Sequence, residues 1–197
     1  MKFDTVHVGI GEYSSRKIPL YSADQNKNLL KFQIPRMYIP FGLNTFNPEV
    51  GDPKWNIDFN LNDSPEVQKF VEFVQGVEKD VIDKVYEDRV QIFGNANLSY
   101  ETVQAMFNSN IKRDKFRVKF EPDKSMVYDS SGQPIIYNEE PGLFSKNSGI
   151  AMVELGSVYF LNKMFGLVWK IKQLKLYETS RSSTTSESLT GFQFVGI

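Results

Sequence analysis

Cysteine is absent from this 197-residue chain and histidine occurs once, as His7. No disulfide, thiolate nucleophile or Cys/His zinc site can be built, and a Ser-His-Asp triad would have no imidazole but His7 to use. The missing thiols are compatible with a reducing compartment. No apolar run approaches the roughly 18 residues that a membrane span needs, so no membrane partner is expected. The first residues, MKFDTVHVGIGEYSSRK, carry an early acid and no continuous apolar stretch, which sets the expectation that the protein is not secreted. An excess of charge is missing too. With 23 basic residues against 24 acidic ones and a net −1, the chain lacks a bulk basic footprint for nucleic acid. Carboxylates do not converge either: Asp58, Asp123 and Asp129 fall in different strands or turns. No acid–base pair and no metal cluster is therefore expected, and the chain reads as a non-enzyme without cofactor or metal. Gly9-Ile10-Gly11 matches half of a dinucleotide-binding loop, but no third glycine and no helical pattern follow. A turn or bulge accounts for it better.

What the chain does have is apolar and aromatic material, 41% and 14% of its residues. That is enough for one domain to bury a core without metals or crosslinks. The stretch Gly149–Glu178 organises it. It reads as two long strands around a tight turn at Asn162-Lys163-Met164-Phe165-Gly166. In the second strand Trp169 and Ile171 point one way, Lys170 and Lys172 the other. At Gln173 the phase slips by one residue, and Leu174 and Leu176 return to the apolar face with Lys175 outside. A single slip predicts a bulge, the device that bends strands in small barrels.

Elsewhere the alternation comes in short pieces. Thr5–Ile10 reads as a weak strand followed by a polar loop. Asn28–Phe46 reads as strand, proline break, strand, with Pro35 and Pro40 kept to edges, bulges or strand ends. Over Trp55–Leu61, Trp55, Ile57, Phe59 and Leu61 share one side and Asn56, Asp58 and Asn60 the other. That is a half-buried strand with Trp55 inside. The period then becomes helical, with Ser64 as the expected cap and Pro65 as the first helical residue. Val67, Phe70, Val71, Val74, Val77, Val81, Ile82 and Val85 form one stripe as far as Tyr86. A shorter helix over Glu101–Phe107 follows, capped by Ser99. Sheet returns at Lys115–Phe120, and Ser125–Tyr137 reads as a hairpin around Asp129-Ser130-Ser131-Gly132. After Glu178 comes a Ser/Thr-rich linker, TSRSSTTSESLT, and then an apolar segment, GFQFVGI.

Short strands with alternating faces and one helix between them predict a mainly β chain, a small Greek-key barrel with a helical insertion. Two segments extend that reading. In Gln33–Leu43, Pro35, Met37, Pro40, Phe41 and Gly42 follow the pattern P-x-M-x-x-P-F-G. In Gly156–Glu178, Phe165 or Tyr159, then Gly166, Trp169 and Gln173, follow aromatic-x-x-G-x-x-W-x-x-x-Q. In both segments the chain resembles the single-stranded DNA-binding proteins of large nucleocytoplasmic DNA viruses, which are broadly like the T7-type binding protein. The resemblance implies an oligonucleotide-binding (OB)-like Greek-key β-barrel over residues 1–178. A helical insertion at 64–107 would hold one long α-helix (about 64–86) and a short second one, and a flexible linker at 179–191 would lead to the apolar segment 192–197. The implied function is sequence-independent binding of single-stranded DNA in viral DNA replication, recombination or repair, at the viral replication site in the host cell, nuclear or cytoplasmic. One departure is plain. The T7-type proteins end in an acidic tail that recruits partners, whereas Glu187 is the only acid in the last nineteen residues here.

Binding of that kind needs cations along the phosphates and aromatic rings against the bases. The window Ile111–Phe120, IKRDKFRVKF, holds five basic residues, Lys112, Arg113, Lys115, Arg117 and Lys119, and one acid. The organising hairpin adds Lys163, Lys170, Lys172 and Lys175. If the two segments share a barrel wall, their outward residues make one basic surface. Arg36 is a further phosphate contact in this scheme. Tyr38, Tyr159 and Tyr177 are the candidate stacking rings, with Phe41, Tyr128 and Tyr137 beside them. The plainer account of each single lysine is solubility and edge protection. One alternative function is a protein-interaction module whose segment 192–197 docks into another copy or a replication protein. The other is an RNA-binding OB domain.

Overall fold

The computed structural model describes residues 3–24, 28–47, 51–135 and 144–178; the linker 179–191, the apolar segment 192–197 and Tyr137 lie outside the described residues. In chain order the strands are β1 (Val8–Ile10), β2 (Lys17–Ser22), β3 (Leu30–Gln33), β4 (Met37–Ile39), β5 (Leu43–Phe46), β6 (Lys54–Asn60), β7 (Ile111–Lys112), β8 (Lys115–Phe120), β9 (Met126–Tyr128), β10 (Asn147–Leu161) and β11 (Met164–Tyr177). Helices α1 (Pro65–Glu87), α2 (Arg89–Phe93) and α3 (Tyr100–Ala105) all fall between β6 and β7.

β10 and β11 pair antiparallel from Ser148↔Tyr177 to Leu161↔Met164. The two residues between them, Asn162 and Lys163, have φ of 50° and 64°, the left-handed pair that a right-twisted hairpin needs. The turn is thus shorter than the sequence suggests, and Met164–Gly166 already belongs to β11. Register slips twice. Met152↔Gln173 is followed by Val153↔Ile171, leaving Lys172 unopposed, and Leu155↔Trp169 by Ser157↔Val168, leaving Gly156 unopposed. The first bulge lies at the expected phase slip and puts Trp169, Ile171, Leu174 and Leu176 together on the buried face. Bulges bend and twist the strands they interrupt, and here the sheet closes. The ring runs β10–β4–β6–β8–β11 and back to β10, a five-stranded OB-like barrel. Its β8–β11 seam is a single parallel pairing, Lys170 with Lys119. β10 is long enough to pair β2 and β3 as well.

Trp169 sits at the centre of the core, edge-on to Phe32 at 5.7 Å and to Phe116 at 5.3 Å. Phe116 in turn meets Phe70 of α1 at 5.1 Å. The α1 stripe of Val67, Phe70, Val74, Val77, Val81, Ile82 and Val85 is buried, and each such side chain contributes about 1.5–3 kcal/mol. This is what docks the helix. Pro65 opens α1 as expected, but the Ser64 side chain makes no capping bond. The Ser64 N–H instead donates to Asn62 Oδ1 at 3.0 Å. At α3 the expected cap is in place, with Ser99 Oγ accepting from the Thr102 N–H.

Four local expectations are corrected. Phe3–Thr5 is a 3-10 turn, so the first strand is only Val8–Ile10. The supposed polar loop after it holds β2, whose Ile18, Leu20 and Ser22 are buried in alternation; Pro19 breaks the pattern that would have shown it. The insertion has three helices, because α2 has no buried residue and hence no stripe to read. Trp55 only packs partly buried against the core, while Asp58, on the nominally wet face of β6, is 5% exposed. The Ser125–Tyr137 hairpin returns through an isolated bridge, Tyr128 with Pro134. No helix among the described residues is long and apolar enough to cross a membrane.

Candidate nucleic-acid interface

β6 and β8 pair antiparallel, and their inward residues Ile57, Phe59, Phe116, Val118 and Phe120 are core. Alternation forces the polar residues between them onto the outer face. There the register sets Asn56 against Lys119, Asp58 against Arg117 and Asn60 against Lys115. Arg117 grips Asp58 in a fork, Nε to Oδ1 at 2.7 Å and Nη2 to Oδ2 at 2.8 Å. Asn44 Nδ2 adds a third contact at 3.3 Å. The β7–β8 turn bends at Arg113 (φ 57°) and brings Lys112 opposite Lys115.

Over this face lies a cleft of about 800 Å³. Asn44, Lys54 and Asn56 come from β5 and β6, and Lys115, Arg117 and Lys119 from β8. Lys112, Arg113 and the loop Asn108-Ser109-Asn110 line it further, together with Tyr159, Leu167, Val168 and Trp169. Asp58 is the one carboxylate among the described lining residues. Phe41 stands over the cleft, 57% exposed, with the Lys115 ammonium 4.7 Å from its ring centroid. Gly42 (φ 72°) makes that possible: its left-handed backbone turns Leu43 back into the core and leaves Phe41 outside.

The loop at the cleft wall is held from behind. Ser109 Oγ donates to the Glu78 carboxylate (2.8 and 2.9 Å), and the Asn110 N–H reaches it at 3.3 Å. Glu78 is 8% exposed, and burial pushes its pKa up against the opposing pull of those hydrogen bonds. Asn110 also ties the loop to β8, its Nδ2 donating to the Arg117 carbonyl at 3.0 Å. Asn108 Nδ2 donates to the Tyr159 hydroxyl at 2.9 Å. Tyr159 pairs across the hairpin with Gly166. A Cβ at Gly166 would lie 2.7 Å from the Asn108 carbonyl and 3.0 Å from the Tyr159 ring. The glycine of the second motif is what lets ring and loop approach.

Of the residues proposed from sequence, Lys112, Arg113, Lys115, Arg117, Lys119 and Tyr159 come together in the cleft. The others do not line it, although Lys170 adjoins its edge as the cross-strand partner of Lys119. Glu121 binds both Lys119 (2.9 Å) and Lys170 (3.4 Å), and Glu154 binds Lys31 (3.7 Å) and Lys172 (3.8 Å). Burial raises the Glu121 carboxyl, but the two lysines more than offset this and hold it below the usual range. Lys163 lies at the hairpin turn near Tyr13 and Arg16. Arg36 stacks on Tyr177 at 4.2 Å, with Lys175 5.5 Å from the same ring. Tyr38 is exposed on β4. Sequence reasoning missed Lys54 and the amides Asn44, Asn56, Asn108 and Asn110. The available signal was the polar face of β6, which alternates Lys54, Asn56, Asp58 and Asn60. Among the described residues no group of three His, Asp or Glu is placed to hold a metal.

The chain belongs to a family of unknown function, DUF5871, whose model matches residues 56–192. No curated protein matches it in sequence. Among solved structures it is similar to gp2.5, a single-stranded DNA-binding protein encoded by bacteriophage T7. The TM-score is 0.53 at 16% identity, over 80% of this chain and 98% of that one. It is also similar to a single-stranded DNA-binding protein from bacteriophage Enc34, in complex with ssDNA, at TM-score 0.46 and 6% identity over 88% and 97% of the two chains. The likeness to gp2.5 shows a shared fold, the T7-type barrel expected from the sequence. Both neighbours are phage proteins, and neither bears on the large-virus part of the resemblance.

Proposed function

We propose that this member of the DUF5871 family binds single-stranded DNA without regard to sequence and coats it during replication, recombination or repair of a viral genome. The observation that carries the reading is the charge of the cleft. Lys54, Lys112, Arg113, Lys115, Arg117 and Lys119 are six cations against one lining acid, Asp58, and Glu121, which holds Lys119 from beside the cleft, so 6 − 2 leaves a formal +4 on a chain whose net charge is −1. Asp58 is already held by Arg117 and cannot repel a polyanion as a free carboxylate would. Phosphates would run along the β7–β8 cations, and the exposed Phe41 and the Tyr159 ring would receive unstacked bases. Each such stack contributes about 1–3 kcal/mol. Fold similarity to the T7 protein supports the reading. The role is stoichiometric and needs no catalytic group. The large-virus resemblance extends it to a replication site in the host cell.

Fluorescence anisotropy with a labelled dT strand of about thirty nucleotides tests this, with duplex and RNA strands alongside. Tight dT binding, weaker duplex binding and a log–log salt slope near −2.8 are expected, about 0.7 per neutralised phosphate for four net charges. Absence of dT binding at low salt would overturn the function, and tighter binding of RNA would move it to the RNA alternative.

A further inference from the structure

A second hollow, of about 300 Å³, lies on the outer face where β3, β10, β11 and β9 run side by side. Register explains its make-up. Gln33, Met152, Gln173 and Met126 are successive cross-strand partners on those four strands, so their side chains share one row on one face. Ile150, Lys175 and Tyr128 form the next row, and Tyr177 lies two residues beyond Lys175 on the same face. The bulge at Lys172 turns Gln173 outward. The result is an apolar floor of Ile150 and Met152, with Tyr128 and Tyr177 beside it and a carboxamide on either side of Met152. Neither the Gln33 nor the Gln173 carboxamide hydrogen-bonds to a described residue, although both backbones are in the ladder. Tyr177 is fixed by Arg36, which stacks on it at 4.2 Å while its Nε donates to Ser148 Oγ at 2.8 Å.

A flat apolar floor, aromatic sides and amides that each offer a donor and an acceptor suit the face and edge of a nucleobase. Methionine adapts its shape to flat rings. The hollow is also reachable from the cleft. Lys119 lines the cleft and pairs across the β8–β11 seam with Lys170. Gln173 stands three residues further along β11, about 10 Å away. We infer that a bound single strand leaves the cleft over Lys119 and Lys170 and seats one base in this hollow. The inference rests on the single-strand reading above, and its test separates the two.

The test uses dT strands of about six and about sixteen nucleotides, within the site sizes of OB folds. They are measured by anisotropy with the full chain and with a Gln33→Ala/Gln173→Ala variant, whose changes lie on exposed positions. The longer strand, carrying 5-iodouracil, is also photocrosslinked and the adducts are mapped by mass spectrometry. The expected result is an adduct at Tyr128 or Tyr177, with about tenfold weaker binding of the longer strand by the variant and unchanged binding of the shorter one. Equal affinity of both proteins for the longer strand, or adducts confined to Phe41 and Tyr159, would overturn the second seat and leave the coating role standing. Failure of the unaltered protein to bind either strand would remove both.

Discussion

Strands β8 and β11 look alike in sequence, each with an apolar face toward the core and basic residues outside, yet they hold their charge differently. β8 lies against β6, which offers Asn56, Asp58 and Asn60 to its Lys119, Arg117 and Lys115. Of these, only Arg117 meets a cross-strand acid. β11 lies against β10, which sets Glu154 opposite Lys170. Glu154 takes Lys172, and Glu121 takes Lys170 together with Lys119 at the seam. Of the β8 cations Lys115 alone meets no carboxylate among the described residues, so the acids that barrel closure brings alongside, as well as the cross-strand partner, decide which charges are neutralised. The strand's own composition does not decide it.

The largest effect should come from breaking the β7–β8 side. Lys112→Gln/Lys115→Gln should weaken dT binding by about fiftyfold and make the log–log salt slope shallower by about 1.4, the loss of two phosphate contacts. Anisotropy titrations at several salt concentrations read both numbers. An unchanged slope would show that these lysines do not touch phosphate.

Arg117 differs from its neighbours because removing it exposes a structural debt. Arg117→Met leaves the buried Asp58 carboxylate with only the long Asn44 contact, which should cost about 2 kcal/mol of stability. Adding Asp58→Asn should recover most of that loss. Denaturant melts of the single and double variants decide it, and equal midpoints would mean that Asp58 is solvated after all.

The parts of this molecule that were legible in its sequence are those with a sustained period. The α1 stripe, the alternation of β8 and the phase slip at Gln173 all emerge as read, while β6 forms as a strand but with Asp58 buried and Trp55 only partly so. β2 and α2 were not legible, because a proline interrupts one and the other buries nothing. In the site, the cations of β8 were visible as a cluster. The ion pairs of Arg117, Lys119, Lys170 and Lys172 were not, since strand pairing and closure of the barrel bring Asp58, Glu121 and Glu154 to them. Phe41 was visible only as one aromatic ring among several. Its projection over the cleft depends on the backbone at Gly42.

Glu78 supplies a third kind of acid, buried behind the cleft wall and bonded to Ser109 and Asn110. Its folded-state pKa is raised, chiefly by desolvation, above the ordinary 4.5. The folded state therefore holds the proton to higher pH than the unfolded chain, and this group's contribution falls as pH rises from 4.5 through the raised value. Glu78→Gln removes that penalty while keeping an acceptor for Ser109. Its melting temperature should exceed that of the unaltered protein by a few degrees at pH 7 and converge with it below pH 4.5. A constant difference across pH would assign the effect to packing.

The smallest effect should come from the hairpin side, and it is the one that completes the comparison. In Lys170→Gln/Lys172→Gln, Glu121 keeps Lys119 and Glu154 keeps Lys31, so neither acid is stranded. Partly exposed pairs of this kind contribute about 0–1 kcal/mol, and the melt should hardly move. Binding of dT should weaken by less than about threefold with an unchanged salt slope, because charges already spent on carboxylates release few counterions. A loss matching that of the β7–β8 variant would mean that phosphates displace Glu121 and Glu154 when the strand binds. The two lysines would then be a reserve of charge opened by the ligand, and the difference between the strands would belong to the free protein only.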